Sequence, residues 1–227
     1  MLALQQSEPQ GESLSIRDST GAIVGFLGSS TQYDPALIDI AISKIDQGIE
    51  LYPDRLDMRF GKIYILGEVG AWQRFTDEII SAIRHSAQNQ NNWTWTNHAK
   101  QPEAKSFFLN GLQDYQYRLY STGNESLLPN MRTIASEVLK IYPDHVESLS
   151  NLAITCLLAG KFDEAIEVLL KAEKLSPSDP IILGNIAEGY KRSGDKQKAI
   201  FYFEKVMKLG DEQTVSYCQA QIAELSK

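Results

Sequence analysis

The sequence predicts an all-α fold: a solenoid of antiparallel helix pairs behind a short irregular N-terminal arm. Two observations carry this prediction. Between 146 and 211 one helix-turn-helix pattern is written twice, thirty-four residues apart: Leu152 and Ala153 return as Ile186 and Ala187, Gly160 as Gly194, Ala165 as Ala199, Ala172 as Val206 and Leu175 as Leu209. A fixed period of that length marks a stacked helical repeat, in which no unit can bury its apolar face alone. The second observation is a shared stop signal, IELYPD at 49–54 and LKIYPD at 139–144, each closing an amphipathic helix. Proline cannot continue a helix, and the residue before it is pushed toward extended backbone.

Residues 1–32 hold Gln, Ser, Glu, Gly and Thr around one apolar run, Ala22 to Leu27. They read as an irregular arm whose run either docks on the first helices or forms a lone strand. A single repeat domain is expected over 33–227. Its first helix, 34–53, has Asp34 as N-cap, Pro35 at the first helical position, and Leu37, Ile38, Ala41, Ile42, Ile45 and Ile49 at helical spacing. A degenerate repeat follows at 54–87, marked by Leu56, Phe60, Ile63, Tyr64 and Gly67, then by Phe75, Ile79, Ile80 and Ile83 in a helix starting at Trp72. The stretch 88–101, QNQNNWTWTNHAKQ, is a polar linker.

An enlarged, divergent repeat occupies 102–143, with Phe107, Phe108, Leu112, Tyr115 and Leu119 inward on a helix from Glu103 to Tyr120, and a second helix from Met131 to Ile141. Regular repeats fill 144–178 and 179–211, turning at Gly160 and Gly194, where left-handed backbone costs glycine little. The last stretch, 212–227, is a polar-faced capping helix with Val215, Ile222 and Leu225 inward.

Composition narrows the function. The net charge of -7, from 29 acidic and 22 basic side chains without a long run of one sign, argues against a phosphate backbone as partner, so no nucleic acid is expected. Cys156 and Cys218 stand far apart with no CxxC and no His cluster, so neither a disulfide framework nor a metal site is implied. No apolar run reaches the roughly 20 residues of a membrane span. The default expectation is a cytoplasmic location, and a periplasmic one if a signal peptide has been removed. No Gly-rich phosphate loop, nucleophile elbow, paired-carboxylate motif or HExxH appears, so neither an enzyme nor a cofactor is expected.

The repeats resemble the tetratricopeptide repeat family. Leu149, Leu152, Ala153, Cys156, Gly160, Ala165, Leu169, Ala172 and Pro177 fill that family's pattern in one copy. Leu183, Ile186, Ala187, Tyr190, Gly194, Ala199, Phe203 and Val206 fill it in the next, with Asp211 where Pro would stand. In the 54–87 copy Phe60, Gly61 and Tyr64 match, while Asp57 sits in the Trp slot. The resemblance implies a right-handed α-solenoid whose inner helices line a concave groove for an extended peptide. The groove slots are Glu147, Ser150, Asn151, Ile154 and Leu158, then Ile181, Gly184, Asn185, Glu188, Lys191 and Arg192. Ser150 and Ile154 stand where the family's carboxylate clamp needs Lys and Asn, which argues against that clamp.

Three features carry candidate binding chemistry. Asn151 and Asn185 offer a donor and an acceptor on one amide, suited to a peptide backbone, although Asn is also ordinary at this slot. Arg55, Arg59 and Lys62, spaced by four and three, put three cations on one helical face, which would either hold a carboxylate or form a solvated face balanced by Asp54 and Asp57. Trp93 and Trp95 flank Thr94, so in an extended segment they share a side and either stack on a sugar or proline or staple the loop to the array. The reading is a non-catalytic protein or peptide scaffold; the alternatives are a carbohydrate-associated envelope protein using Trp93 and Trp95, or a homo-oligomerisation module. The irregular half is expected to hold the specific function.

Overall fold

A computed structural model describes residues 14–17, 23–27, 35–95 and 98–227. The expected N-cap at Asp34, and Thr96 and Asn97 of the linker, lie outside the described residues, as does the rest of the arm. Among the described residues ten α-helices follow one β-hairpin. The chain gathers into two compact units, one formed by Met1–Glu78 with Gln88–Ala104 and one by Ile79–Ala87 with Lys105–Lys227, where the sequence reading has one repeat domain.

The first unit begins with β1 (Leu14–Arg17) and β2 (Ile23–Leu27), an antiparallel pair. The arm is therefore not wholly irregular, and its apolar run is not a lone strand, because extended backbone finds its hydrogen-bond partners on a neighbouring strand. Ile16 faces Gly25 while Arg17 faces Ile23, so the register shifts at Ile16/Arg17. Helix α1 (Pro35–Leu51) buries Ile38 and Ile42, and α2 (Leu56–Glu68) buries Leu56, Ile63 and Leu66. A full burial of one such side chain stabilises by about 1.5–3 kcal/mol. Tyr64 is 51% exposed. Helix α3 (Trp72–Gln88) starts in this unit with Phe75 buried and continues into the second.

The second unit takes up α4 (Ala104–Ser121), α5 (Leu128–Ile141), α6 (Val146–Leu158), α7 (Phe162–Leu175), α8 (Pro180–Ser193), α9 (Lys196–Met207) and α10 (Glu212–Leu225). From α5 onward each helix packs on the next, and α6 also meets α8, which is the antiparallel-pair stacking that the repeat requires. Their core joins Leu149, Ala153, Cys156 and Leu169 to Leu183, Ile186, Ala187, Phe203 and Val206, then to Cys218 and Leu225 of α10. Phe107 is exposed while its neighbour Phe108 is fully buried, so the helical phase of α4 is set by Phe108, Leu112 and Leu119.

Glycine does two separate jobs in this unit. Gly160 and Gly194 adopt left-handed backbone, with φ of 72° and 90°, where a Cβ would be strained. Gly189 brings two helices close: a Cβ there would meet Ile166 Cγ1 at 3.0 Å. Arg132 of α5 ties three helices by bonding Cys156 Sγ of α6 at 3.0 Å and the Glu164 carboxylate of α7. Asp179 caps α8 by accepting from Ile181 N at 2.8 Å and Ile182 N at 3.2 Å.

Candidate functional site

Arg55, Arg59 and Lys62 do not form an open cationic face. Arg55 forks onto Asp57, with Nε donating at 2.7 Å and Nη2 at 2.6 Å. Arg59 is 5% exposed; its Nη1 donates to Glu78 Oε1 at 3.2 Å, its Nε to the Pro53 carbonyl at 3.3 Å, and its guanidinium lies 5.9 Å from the Trp93 ring centroid. Lys62 Nζ bonds Asp46 Oδ1 and Glu78 Oε2, each at 2.6 Å. Burial opposes the Lys62 charge, yet the hydrogen bonds to Asp46 and Glu78 outweigh it and raise its pKa above the ordinary lysine value.

The triplet is thereby divided: Arg59 and Lys62 are neither a ligand-holding surface nor a solvated face, being bonded to Glu78, while Arg55 is balanced by Asp57 as the charge pattern allows. A buried charge demands a bonded counter-charge, and Glu78 of α3 supplies it. Glu78 carried no signal, because its partners stand 19 and 16 residues away with a turn between.

Residues 89–95 and 98–101 clamp the turn before α2. Thr94 N donates to Asp54 O at 2.9 Å, and Leu56 N to Thr94 O at 3.0 Å. Trp95 N bonds Ala99 O at 2.7 Å, Gln101 N bonds Trp93 O at 3.0 Å, and Asn89 Nδ2 reaches Asp54 Oδ1 at 3.0 Å. Trp93 and Trp95 both turn to α2, as period-two spacing allows. Trp93 is 1% exposed against Arg59, and Trp95 sets its ring against Phe60, centroids 6.4 Å apart and edge-on at 76°. The two-ring platform is corrected accordingly: Trp93 is buried and cannot stack on a sugar, and half-buried Trp95 packs on Phe60, so the pair staples the loop to α2.

The groove slots of the second unit are differently occupied. Asn151 Nδ2 donates to Gln113 Oε1 of α4 at 2.6 Å, and Asn185 Nδ2 donates to Ser150 Oγ at 3.3 Å. These bonds link α4 to α6 and α6 to α8 by side-chain amides. Arg192 Nε donates to Glu188 Oε1 at 2.7 Å one turn away, and Lys191 Nζ contacts Gln221 Oε1 and, at 3.3 Å, Glu224 Oε2 of α10. Leu158 and Ile181 are exposed at 42% and 67%. Gln113, Gln221 and Glu224 join this face without having been singled out by the repeat pattern, since α4 and α10 match it least.

Near the start of α6, His145 Nδ1 lies 2.8 Å from Ser148 Oγ, and its Nε2 lies 3.1 Å from Glu147 Oε2. Burial lowers the His145 pKa below the ordinary range, Glu147 pulls it up and Lys105 pushes it down. Ser148 is fully buried, so this Ser, His and Glu grouping orders the helix start and presents no accessible nucleophile. Among the described residues no group of three or more His, Cys, Asp or Glu could hold a metal ion, and no helix is long and apolar enough to cross a membrane. Both cysteines are free and buried.

Helix pairs stacked at a fixed period, turning on left-handed glycines and joined by amides across their first helices, define a helical-repeat protein. Residues 148–181 and 182–209 each match a tetratricopeptide repeat family model, so this stretch of the chain carries two tetratricopeptide repeats. A search of curated protein sequences found no match. Among solved structures, the chain is similar to YrrB, described as a TPR protein with an unusual peptide-binding site, at 12% identity and a TM-score of 0.51 over 82% of this chain and 84% of that one. It is also similar to a thermophilic TPR protein from Thermus thermophilus, at 14% identity and 0.49 over 83% and 93%, and to MamA from Desulfovibrio magneticus, at 13% and 0.48 over 76% and 85%. At these identities the likeness is one of fold.

Proposed function

We propose that this protein is a non-catalytic interaction scaffold whose α4, α6 and α8 hold an extended peptide or protein segment across Asn151, Asn185, Glu188, Lys191 and Arg192. One observation carries the reading: the amides of Asn151 and Asn185 each use one Nδ2 hydrogen on the neighbouring helix, which orients the side chain and leaves Oδ1 to accept from a peptide N–H. Exposed Leu158 and Ile181 supply apolar area on the same helices, and the charged pairs at Glu188–Arg192 and Lys191–Glu224 are solvent-reached, so a partner can exchange them at little cost. In YrrB the same fold accompanies a peptide-binding site, by that protein's own description.

A peptide-display selection against the whole chain tests this, with Asn151→Ala/Asn185→Ala as the counter-screen. Selected peptides should bind the double variant at least about tenfold more weakly, from two lost hydrogen bonds of the usual size. Equal binding of every selected peptide to both proteins would remove these amides from the site.

A further inference from the structure

We infer that the pocket between the α4–α5 connection and the end of α6 is an anchor site for a bulky apolar side chain followed by lysine or arginine in a bound peptide. It rests on the reading of the α4, α6 and α8 helices as peptide-binding, and it names what that peptide carries. In the regular repeats the two helices of a pair are joined by a tight glycine turn, at Gly160 and Gly194. Between α4 and α5 the connection is longer, running through Gly123 into a short 3-10 turn at Glu125–Leu127. Asn124 fixes that turn by accepting from Ser126 N at 3.0 Å and from Ser126 Oγ at 2.8 Å.

The result is a cavity of about 390 Å³ with Leu119, Leu128, Met131 and Leu158 lining it and Tyr120 and Glu125 beside them. That volume lies in the range of built ligand sites and takes one large aliphatic or aromatic side chain with room to spare. Leu158 is at once a wall of the pocket and the last groove slot of α6, so a chain lying along α6 reaches it without leaving the helix. Glu125 is the one charged side chain among the lining residues, and the Tyr120 ring, 50% exposed, stands with it. A carboxylate beside an aromatic ring favours a cation over an anion at the neighbouring peptide position.

The probe is N-acetyl-Phe-Lys-Gly amide, titrated into the full chain labelled with 13C at methionine and leucine methyls and with 15N. The Met131 methyl should shift and saturate, and the Phe-Lys peptide should bind about two- to fivefold tighter than N-acetyl-Phe-Glu-Gly amide, the size of an exposed charge contact. Glu125→Lys should reverse that order, and Leu158→Glu should abolish the Met131 shift while the helical circular dichroism stays unchanged. Equal affinity for the two peptides, or a Met131 shift that survives Leu158→Glu, overturns the anchor. Shifts at the Asn151 and Asn185 side-chain amides without any at Met131 also overturn it, while leaving the groove reading intact. A Met131 shift that grows with protein concentration alone would place a second copy of the chain in the pocket and overturn the peptide.

Discussion

The two units use similar polar residues for opposite ends. In the first, Arg59, Lys62 and Glu78 close on one another beneath Trp93, and the loop that delivers Trp93 is itself hydrogen-bonded to the turn before α2. In the second, Asn151, Asn185 and Lys191 hold single or solvent-reached contacts between helices that already pack through their apolar sides, and Arg192 pairs with Glu188 along its own helix. The irregular half, which the sequence marks as chemically distinctive, has buried Arg59 and Trp93; the regular half keeps its polar groups in partly exposed contacts. Unusual residue types are a sign of an unusual structural problem as often as of a ligand.

The sharpest way to break this comparison is Glu78→Gln. It leaves Arg59 buried beside a neutral partner and should lower the stability of the first unit by about 3–5 kcal/mol, read by urea unfolding followed through tryptophan fluorescence. Arg192→Ala in the second unit should cost less than about 0.5 kcal/mol in urea unfolding followed by helical circular dichroism, since its partner is one helical turn away on the same helix. Comparable losses from the two would erase the distinction between closed and open charge.

A smaller effect separates local from tertiary support within the second unit. Asp179→Ala removes the cap of α8 and should cost about 1 kcal/mol in thermal or urea unfolding. No change in midpoint would mean that packing alone starts that helix.

A pH series refines the same region. The folded-state pKa of His145 is lowered, so the fold favours the neutral ring. Its stability contribution is full above the unfolded value, about 6.5, and is lost as pH falls through that value toward the lower folded one. Replacing His145 by Asn should therefore flatten the drop in melting temperature below pH 6.5 relative to the parent chain. Parallel curves would assign that drop to the carboxylates instead.

Much of the helical framework could be read from the residues. The thirty-four-residue step from Leu152 to Ile186 and from Gly160 to Gly194 reports contacts that each repeat makes with itself and its neighbour, which are local in the chain. The stop at Tyr142–Pro143 works through backbone sterics and needs no tertiary context. Charge was harder. The spacing of Arg55, Arg59 and Lys62 states that they share a helical face, but whether that face meets water or Glu78 depends on where α3 lies. Trp93 and Trp95 share a side for the reason their spacing implies, yet only the bonds from Thr94 to Asp54 and Leu56 turn that side to α2.

By itself, then, the sequence determined the helix-pair repeat and its turns, because periodicity and glycine or proline backbone limits act over a few residues. Only the tertiary structure decided which polar side chains are consumed and which stay available, and it alone opened the pocket beside Glu125. Those outcomes depend on pairs of residues brought together from distant positions, and burial sets the sign of each: a charge or ring under a neighbouring helix supports the fold, and the same group in water can meet a partner.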